Sequence, residues 1–167
     1  MITFLFLDFD GVINNRETEK RPYVWPAWHT FAGARSMLTW VCPKLIQRVE
    51  ELRLWADADI VISSTWRSHY SLEELRKILS PIPPERIIGV TPVAKTWSST
   101  TRGSEIEEYL RGDPCDRYVI LDDLGPSEFL HDQRNKLIQT NDDVGITDEN
   151  IAAAKKNLDS QAREGKV

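Results

Sequence analysis

Two aspartates separated by a single residue follow an apolar run near the start of the chain. In the segment FLFLDFDGV, residues 4–7 are apolar, and Asp8 and Asp10 come directly after them, with Gly11 next. Burying an ionised carboxylate at a strand end costs several kcal/mol unless a charge or a hydrogen-bond donor compensates. Two carboxylates this close also repel each other. The segment therefore predicts a positively charged partner at the end of this strand.

Polar side chains follow two later apolar runs in the same way. Ser63 and Ser64 come after residues 58–62, and Asp122 and Asp123 come after residues 118–121. A run that is apolar throughout is typical of a strand covered on both faces, as in a parallel sheet. In such sheets the functional site lies beyond the carboxyl ends of the strands, at one edge. We therefore expect these polar residues to meet although they are far apart in the sequence.

The residue types at this edge indicate phosphoryl chemistry. Four converging carboxylates would repel one another without a cation, and hard oxygen ligands in this number favour Mg²⁺. A carboxylate such as Asp8 can attack phosphorus and form an aspartyl-phosphate, and a metal ion would reduce its repulsion with an anionic substrate. Asp10 could exchange protons with the leaving group and with water. Ser63 could donate a hydrogen bond to a phosphoryl oxygen, and Arg102 could neutralise phosphate charge.

Strands and helices alternate along the chain, which predicts an α/β domain with a parallel sheet between two layers of helices. The apolar spacing predicts helices over residues 43–56, 72–79, 103–110 and 148–158, with Ser71 and Thr147 as N-caps. Apolar runs predict strands over residues 2–7, 58–62, 86–90, 118–121 and 136–139. Arg102 accordingly lies just before the third predicted helix.

Length and composition predict one globular domain. The chain has 167 residues, of which 41% are hydrophobic and 28% are charged, and its net charge is −5. This charge argues mildly against a large non-specific surface for nucleic acid. Cys42 and Cys115 lack the spacing of a metal site, which favours a reducing, cytoplasmic environment. No apolar run is long enough to cross a membrane, and the oligomeric state is left open.

Two segments stand apart from the predicted core. Residues 14–36 contain Trp25, Trp28 and His29 and predict a flap or small cap inserted into a domain that spans residues 1–158. These aromatic side chains could stack on a nucleobase or form a small core of the flap itself. Residues 159–167 are polar and predict a fraying C-terminal tail.

Four short motifs resemble those of the haloacid dehalogenase (HAD) superfamily of phosphohydrolases. In chain order they are LDFDGV, SSTWR, RGSEI and VILDD. The combination most resembles the small HAD domains of Swiss Army Knife RNA repair proteins and of phage and bacterial relatives. The resemblance extends over about residues 2–158 and implies a three-layer, Rossmann-like fold with a central parallel sheet and only a small cap.

The resemblance also implies a role for each motif residue. Asp8 would be the nucleophile and a metal ligand, and Asp10 the acid/base, whose backbone carbonyl also binds the metal. Ser63 and Arg102 would hold the phosphate. Asp122 or Asp123 would complete the metal shell, and Asp123 is favoured because it aligns with the acid of the commoner form of this motif.

Three neighbours of the second strand are expected to bind substrate. Ser64, Trp66 and Arg67 would line the cleft, where Arg67 could meet a second phosphate or a base. The alternative for Trp66 and Arg67 is packing and a surface charge. In the third motif, Lys95 is the alternative to Arg102, because many HAD enzymes have lysine there.

These implications predict a Mg²⁺-dependent phosphatase that acts through an aspartyl-phosphate. A cleft without a large cap can admit a bulky phosphorylated group, and the resemblance to RNA repair proteins makes nucleotides and nucleic-acid ends the favoured substrates. The alternatives are a HAD-fold binding or regulatory protein without turnover, a phosphotransferase, and a phosphatase of small metabolites. Every catalytic position carries the expected residue type, which favours an enzyme.

Overall fold

The apolar run at the start of the chain forms the central strand of a parallel sheet. In the computed structural model, β1 (Thr3–Leu7) is buried along its whole length. It pairs with β2 (Asp59–Ile62) on one side and with β4 (Arg117–Asp122) on the other. β3 (Ile87–Val90) and β5 (Leu137–Gln139) form the edges, so the strand order is β3-β2-β1-β4-β5. All neighbouring strands are parallel, which confirms the predicted sheet.

The structure describes residues 1–19, 41–94 and 101–164. Most of the predicted flap, including Trp25, Trp28 and His29, lies outside the described residues, and so does Lys95. The part of the predicted flap that is described contains one short helix, α1 (Arg16–Glu19). Within the described ranges, no helix is both long enough and apolar enough to cross a membrane.

Helices cover both faces of the sheet. α2 (Pro43–Ala56), α3 (Leu72–Ile78) and α5 (Asp148–Glu164) contribute to the larger apolar cluster, which also contains alternate residues of β1. α4 (Thr101–Gly112) contributes to a second cluster, in which Ile106 lies with Phe4 and Phe6. The two clusters produce the three-layer α/β arrangement that the sequence predicts.

Two helices extend further than the apolar spacing predicts. α4 begins at Thr101, so Arg102 lies within its first turn rather than before it. α5 continues through Glu164, so residues 159–164 belong to the helix and do not form a fraying tail. Gln161 accounts for this extension, because its side chain donates a hydrogen bond to the carbonyl of Tyr118 at 2.7 Å and accepts one from the Tyr118 N–H at 3.2 Å. The last turns of α5 are thereby attached to β4.

Backbone hydrogen bonds align the residues that follow the strands. The N–H of Asp8 donates to the carbonyl of Leu121, and the N–H of Ser63 donates to the carbonyl of Leu7, both at 2.9 Å. The same register pairs Leu7 with Ile62 on one side and with Leu121 on the other. Asp8 therefore lies between Ser63 and Asp122 at the carboxyl edge of the sheet.

Gly103 allows α4 to approach the loop between β4 and β5 closely. A Cβ atom at this position would lie 2.6 Å from the backbone nitrogen of Leu130 and 2.9 Å from the Cα atom of Phe129. Backbone atoms cannot rotate away as a flexible side chain can, so only glycine fits without displacement of the helix or the loop. Because Arg102 is the preceding residue, this contact also fixes where the arginine enters the site.

Gly103→Ala should lower the free energy of unfolding by about 1–3 kcal/mol, because the new methyl group overpacks this contact. Gly112→Ala, at the end of the same helix, is the matched control, since no atom lies within 4 Å of the methyl group it adds. Alanine favours a helix over glycine by up to about 1 kcal/mol, so the control should be neutral or stabilising. Chemical denaturation of both variants measures the difference, and equal stabilities would contradict the argument.

Candidate active site

Asp8 is a buried carboxylate with hydrogen-bond donors on its own turn and on the neighbouring strand end. Asp8 is only 4% exposed to solvent. Oδ1 accepts a hydrogen bond from the N–H of Phe9 at 2.8 Å, and the hydroxyl of Ser64 also donates to the carboxylate. Burial raises the pKa of Asp8, and the positive charge of Arg102 partly opposes this rise. These neighbours therefore favour the charged form of the carboxylate and partly offset the effect of burial.

Three carboxylates converge at the end of β1 and β4. One carboxylate oxygen of Asp8, one of Asp122 and one of Asp123 lie within 4.8 Å of one another. Burial, followed by the charge of Asp8, raises the pKa of Asp122 and raises that of Asp123 to about 6. Hard carboxylate oxygens at this mutual distance fit a divalent cation such as Mg²⁺, which would relieve the repulsion.

The two residues of the second acidic pair have different surroundings. Asp122 is fully buried, and each of its oxygens has a donor: Oδ2 contacts Nη1 of Arg102 at 3.0 Å, and Oδ1 accepts from the N–H of Leu124 at 3.0 Å. Asp123 is half-buried and packs against Gly11, where a Cβ would lie 2.7 Å from Oδ2 of Asp123. Gly11 also has a φ of +68°, so glycine is required there on two counts.

Asp10 lies outside this cluster of three carboxylates. Asp10 is an exposed residue, but its carboxylate accepts hydrogen bonds from two side chains. Nε1 of Trp66 lies 3.1 Å from both oxygens, and Nδ2 of Asn14 lies 2.8 Å from Oδ1. Asn14 was not among the predicted site residues. Its contact with Asp10 depends on the turn that follows Asp10, which the sequence pattern does not show.

The two serines after β2 are both fully buried and differ in their contacts. Ser64 donates to Asp8 and caps the following 3₁₀ turn, where its Oγ accepts from the N–H of Trp66 at 3.3 Å. Oγ of Ser63 has no hydrogen-bond partner among the described residues. A buried hydroxyl without a partner is unfavourable, so a group that reaches Ser63 would gain a hydrogen bond there.

Arg102 connects the nucleophile position to the acidic pair. Its Nη1 lies 3.6 Å from Oδ1 of Asp8 and 3.0 Å from Oδ2 of Asp122, and its side chain is almost completely buried. Its Nε lies 4.0 Å from Oε2 of Glu105, one turn along α4. Glu105 is a site residue that the sequence analysis missed, although its spacing of three residues from Arg102 within RGSEI was a signal for such a pair.

Arg67 and Trp66 do not occupy the positions predicted for substrate-binding side chains. Trp66 is 0% exposed and packs on Phe9, with ring centroids 5.1 Å apart, so its ring is not available to a substrate. The five N–H groups of a guanidinium are its only donors, and those of Arg67 all have protein acceptors. These are the carbonyls of Thr91, Ser63, Ser64 and Pro92 and the carboxylate of Glu105, at 2.6–3.2 Å.

These contacts favour the alternative of the sequence analysis, in which Arg67 stabilises the protein itself, over contact with a second phosphate. The Arg67–Glu105 ion pair is buried, with 3% and 7% of the two side chains exposed, and it joins the loop after β2 to α4. Glu105 also accepts a hydrogen bond from the N–H of Ala94 at 3.0 Å, which adds the end of β3 to this junction. The pair thus supports the position of Arg102 from behind.

A cavity of about 290 Å³ lies beside Arg102 at the carboxyl edge of the sheet. It is lined by polar side chains from several strand ends together with a few apolar ones: Thr65, Arg67, Ser68, Val93, Thr101, Arg102, Glu105, Leu124 and Glu128. Space of this size beside Arg102 can admit part of a small molecule.

Arg67→Ala and Glu105→Ala should each lower the free energy of unfolding by about 3–5 kcal/mol, because each leaves an uncompensated buried charge. The exposed pair Arg111–Glu107 on the same helix, with 66% and 47% of the side chains exposed, is the matched control. Its disruption by Arg111→Ala should cost less than about 0.5 kcal/mol. Urea denaturation gives these values, and a loss below about 1 kcal/mol in both buried variants would contradict the argument.

The acidic cluster predicts that Mg²⁺ stabilises the protein more at neutral than at acidic pH. Folding raises the pKa of Asp123 from 3.8 to about 6. Protonation of Asp123 therefore stabilises the folded, metal-free protein, fully below about pH 4, and this stabilisation is lost as the pH rises through 6. At higher pH a bound cation would neutralise the negative charge that remains when Asp123 loses its proton. At Mg²⁺ about 100-fold above its dissociation constant, the melting temperature should rise by about 5–10 °C near pH 7.5 and by much less near pH 5.

Thermal unfolding with Mg²⁺ and with EDTA at the two pH values measures this effect. Asp123→Asn should remove most of the Mg²⁺-dependent rise, whereas Asp132→Asn, which changes an exposed acid outside the cluster, should keep it. An equal rise at both pH values, or an undiminished rise in Asp123→Asn, would show that the cation binds elsewhere.

Comparison with known proteins agrees with this geometry. The family model of the HAD domain in Swiss Army Knife RNA repair proteins matches residues 4–151. No curated protein and no solved structure matches the chain. The matched range includes all four motifs and every residue of the acidic cluster. The chain therefore belongs to the family of HAD domains found in Swiss Army Knife RNA repair proteins.

Proposed function

We propose that this domain is a Mg²⁺-dependent phosphatase that works through an aspartyl-phosphate on Asp8. The observation that carries the proposal is the convergence of Asp8, Asp122 and Asp123 within 4.8 Å beside the buried guanidinium of Arg102. Without a cation these three carboxylates would repel one another. A family of phosphohydrolases that generally use Mg²⁺ gives the same interpretation.

The reaction would proceed in two displacements. A carboxylate oxygen of Asp8 attacks phosphorus, the bond from phosphorus to the ester oxygen breaks, and Asp10 gives its proton to that oxygen so that an alcohol leaves. Water then attacks the phosphorus of the acyl phosphate, Asp10 takes a proton from the water, and inorganic phosphate leaves with Asp8 restored. When bound, Mg²⁺ would neutralise negative charge on the phosphoryl group and on the carboxylates that hold it.

Asp8 and Asp123 are proposed as direct metal ligands, with the carbonyl of Asp10. Asp122 is proposed to act mainly as the anchor for Arg102, because both of its oxygens already have donors at 3.0 Å. Ser63 is proposed to hold a phosphoryl oxygen, since its buried hydroxyl has no partner among the described residues. Arg102 would add its positive charge to the same phosphoryl group.

Nucleotides and nucleic-acid ends are proposed as the substrate class. The description of the matching family, which names RNA repair proteins, supports this choice. The cavity beside Arg102 supports it as well, because Thr65, Ser68 and Thr101 line it with hydroxyl groups that can bind a sugar or a further phosphate.

Phosphate release by wild type and by Asp8→Asn should differ by several orders of magnitude, because the variant lacks the attacking carboxylate. The substrate panel is p-nitrophenyl phosphate, nucleoside monophosphates, a sugar phosphate, and oligonucleotides with a 5′ or a 3′ phosphate, each with Mg²⁺ and with EDTA. Asp132→Asn is the control acid and should behave as wild type. EDTA should abolish release, and a nucleotide or oligonucleotide should be the best substrate.

The pattern of release distinguishes the alternatives. The highest kcat/KM on the sugar phosphate would favour a metabolite phosphatase. Release that Asp8→Asn retains would contradict the aspartyl-phosphate route. No release from any compound, with Mg²⁺ still raising the melting temperature, would indicate a binding protein that uses the same site.

A further inference from the structure

Trp66 is a fully buried tryptophan with its N–H directed at an exposed carboxylate. Its ring packs on Phe9 and on Tyr70, with centroids 5.1 and 5.8 Å away. Its backbone N–H is held by Oγ of Ser64 at the start of the 3₁₀ turn. The indole is therefore fixed by packing on two sides and by its own backbone. Its only polar atom lies 3.1 Å from both oxygens of Asp10.

The hydrogen bonds to Asp10 distinguish its two oxygens. Oδ1 accepts from Trp66 and from Nδ2 of Asn14, whereas Oδ2 accepts from Trp66. Asn14 is itself held, because its Oδ1 accepts from the N–H of Gly11 at 2.8 Å. The single N–H of Trp66 is shared between the two oxygens, and Asn14 adds a second donor at Oδ1 alone, so Oδ2 is the oxygen with more room for a further hydrogen bond.

We propose that Trp66 is a positioning residue for the reaction, which holds the carboxyl group of Asp10 so that Oδ2 exchanges protons with the leaving group and with water. The proposal rests on the proposed phosphatase function. It reassigns Trp66 from substrate contact to control of the acid/base. The N–H also favours the reaction step itself, because a hydrogen bond to Asp10 strengthens as this group gives up its proton and becomes negatively charged.

The test compares substrates that need a general acid with one that does not. The alkoxide leaving group of a nucleoside 5′-phosphate is strongly basic and requires a proton, whereas p-nitrophenolate leaves without one. The parameter is kcat/KM, because it includes only the steps up to the departure of the leaving group. Trp66→Phe removes the N–H and keeps an aromatic ring in the core.

Trp66→Phe should lower kcat/KM for the nucleoside phosphate by about tenfold or more, and for p-nitrophenyl phosphate by less than about threefold. Replacement of Trp66 by 3-benzothienylalanine, which has nearly the shape of tryptophan and lacks the N–H, should give the same pattern. This second variant keeps the test decisive if phenylalanine leaves the core too loosely packed. Trp55→Phe, at a tryptophan that is 44% exposed on α2, should leave both values unchanged.

The outcomes separate this inference from the function on which it rests. An equal loss on both substrates, or no loss in the benzothienyl variant, with an active wild type would overturn the positioning role and leave the phosphatase intact. A wild type that releases phosphate from no compound of the full panel would contradict the proposed function, and the inference would fail with it.

Discussion

Asp8, Asp122 and Asp123 bring three negative charges to one end of the sheet, and Arg102 contacts two of them in the folded protein. Most of the surrounding structure follows from the need to hold these charges together. Arg102 is held in turn by Glu105, and Glu105 is balanced by Arg67. The described carboxylates of this network outnumber its two guanidinium groups by two, which leaves a negative site for a divalent cation. A hydrophobic replacement of the network would be at least as stable in general, so its presence indicates a function.

Arg67 is a charged side chain close to Arg102 whose hydrogen bonds go to other groups of the protein. Four backbone carbonyls and Glu105 accept its hydrogen bonds, so the charge is used to join the ends of β2 and β3 to α4. Two strand ends and one helix are thereby held together around Arg102. Precise placement of a charge beside a nucleophile is worth more to a reaction than one additional mobile charge.

The sequence was sufficient to predict the sheet, the layers and the convergence of Asp8, Asp122 and Asp123, because these follow from apolar runs and from the geometry of parallel strands. The carboxylate of Asp10, which was predicted to join them, lies outside this cluster. The sequence left two roles open for Trp66 and Arg67, substrate contact or packing, for a physical reason. Their position after a strand indicates proximity to the site, but burial depends on which elements pack above them. Asn14 and Glu105 were missed for the same reason. The partner of Asn14 is set by the turn after β1, and the partners of Glu105 are set by α4, whose first residue the apolar spacing misplaced.

Three consecutive residues connect the reaction site to both layers of the protein. Asp8 lies at the end of β1 and faces Arg102 of α4. Phe9 belongs to the larger core on the other face and contacts Trp66. Asp10 lies beyond the strand, where Trp66 reaches it, and Gly11 then turns the chain and leaves room for Asp123. The aromatic residue between the two aspartates thus has a physical role, because it packs on the same indole that holds the second aspartate. Asp8 and Asp10 are thus held by side chains from different elements, Arg102 of α4 and Trp66 of the loop after β2.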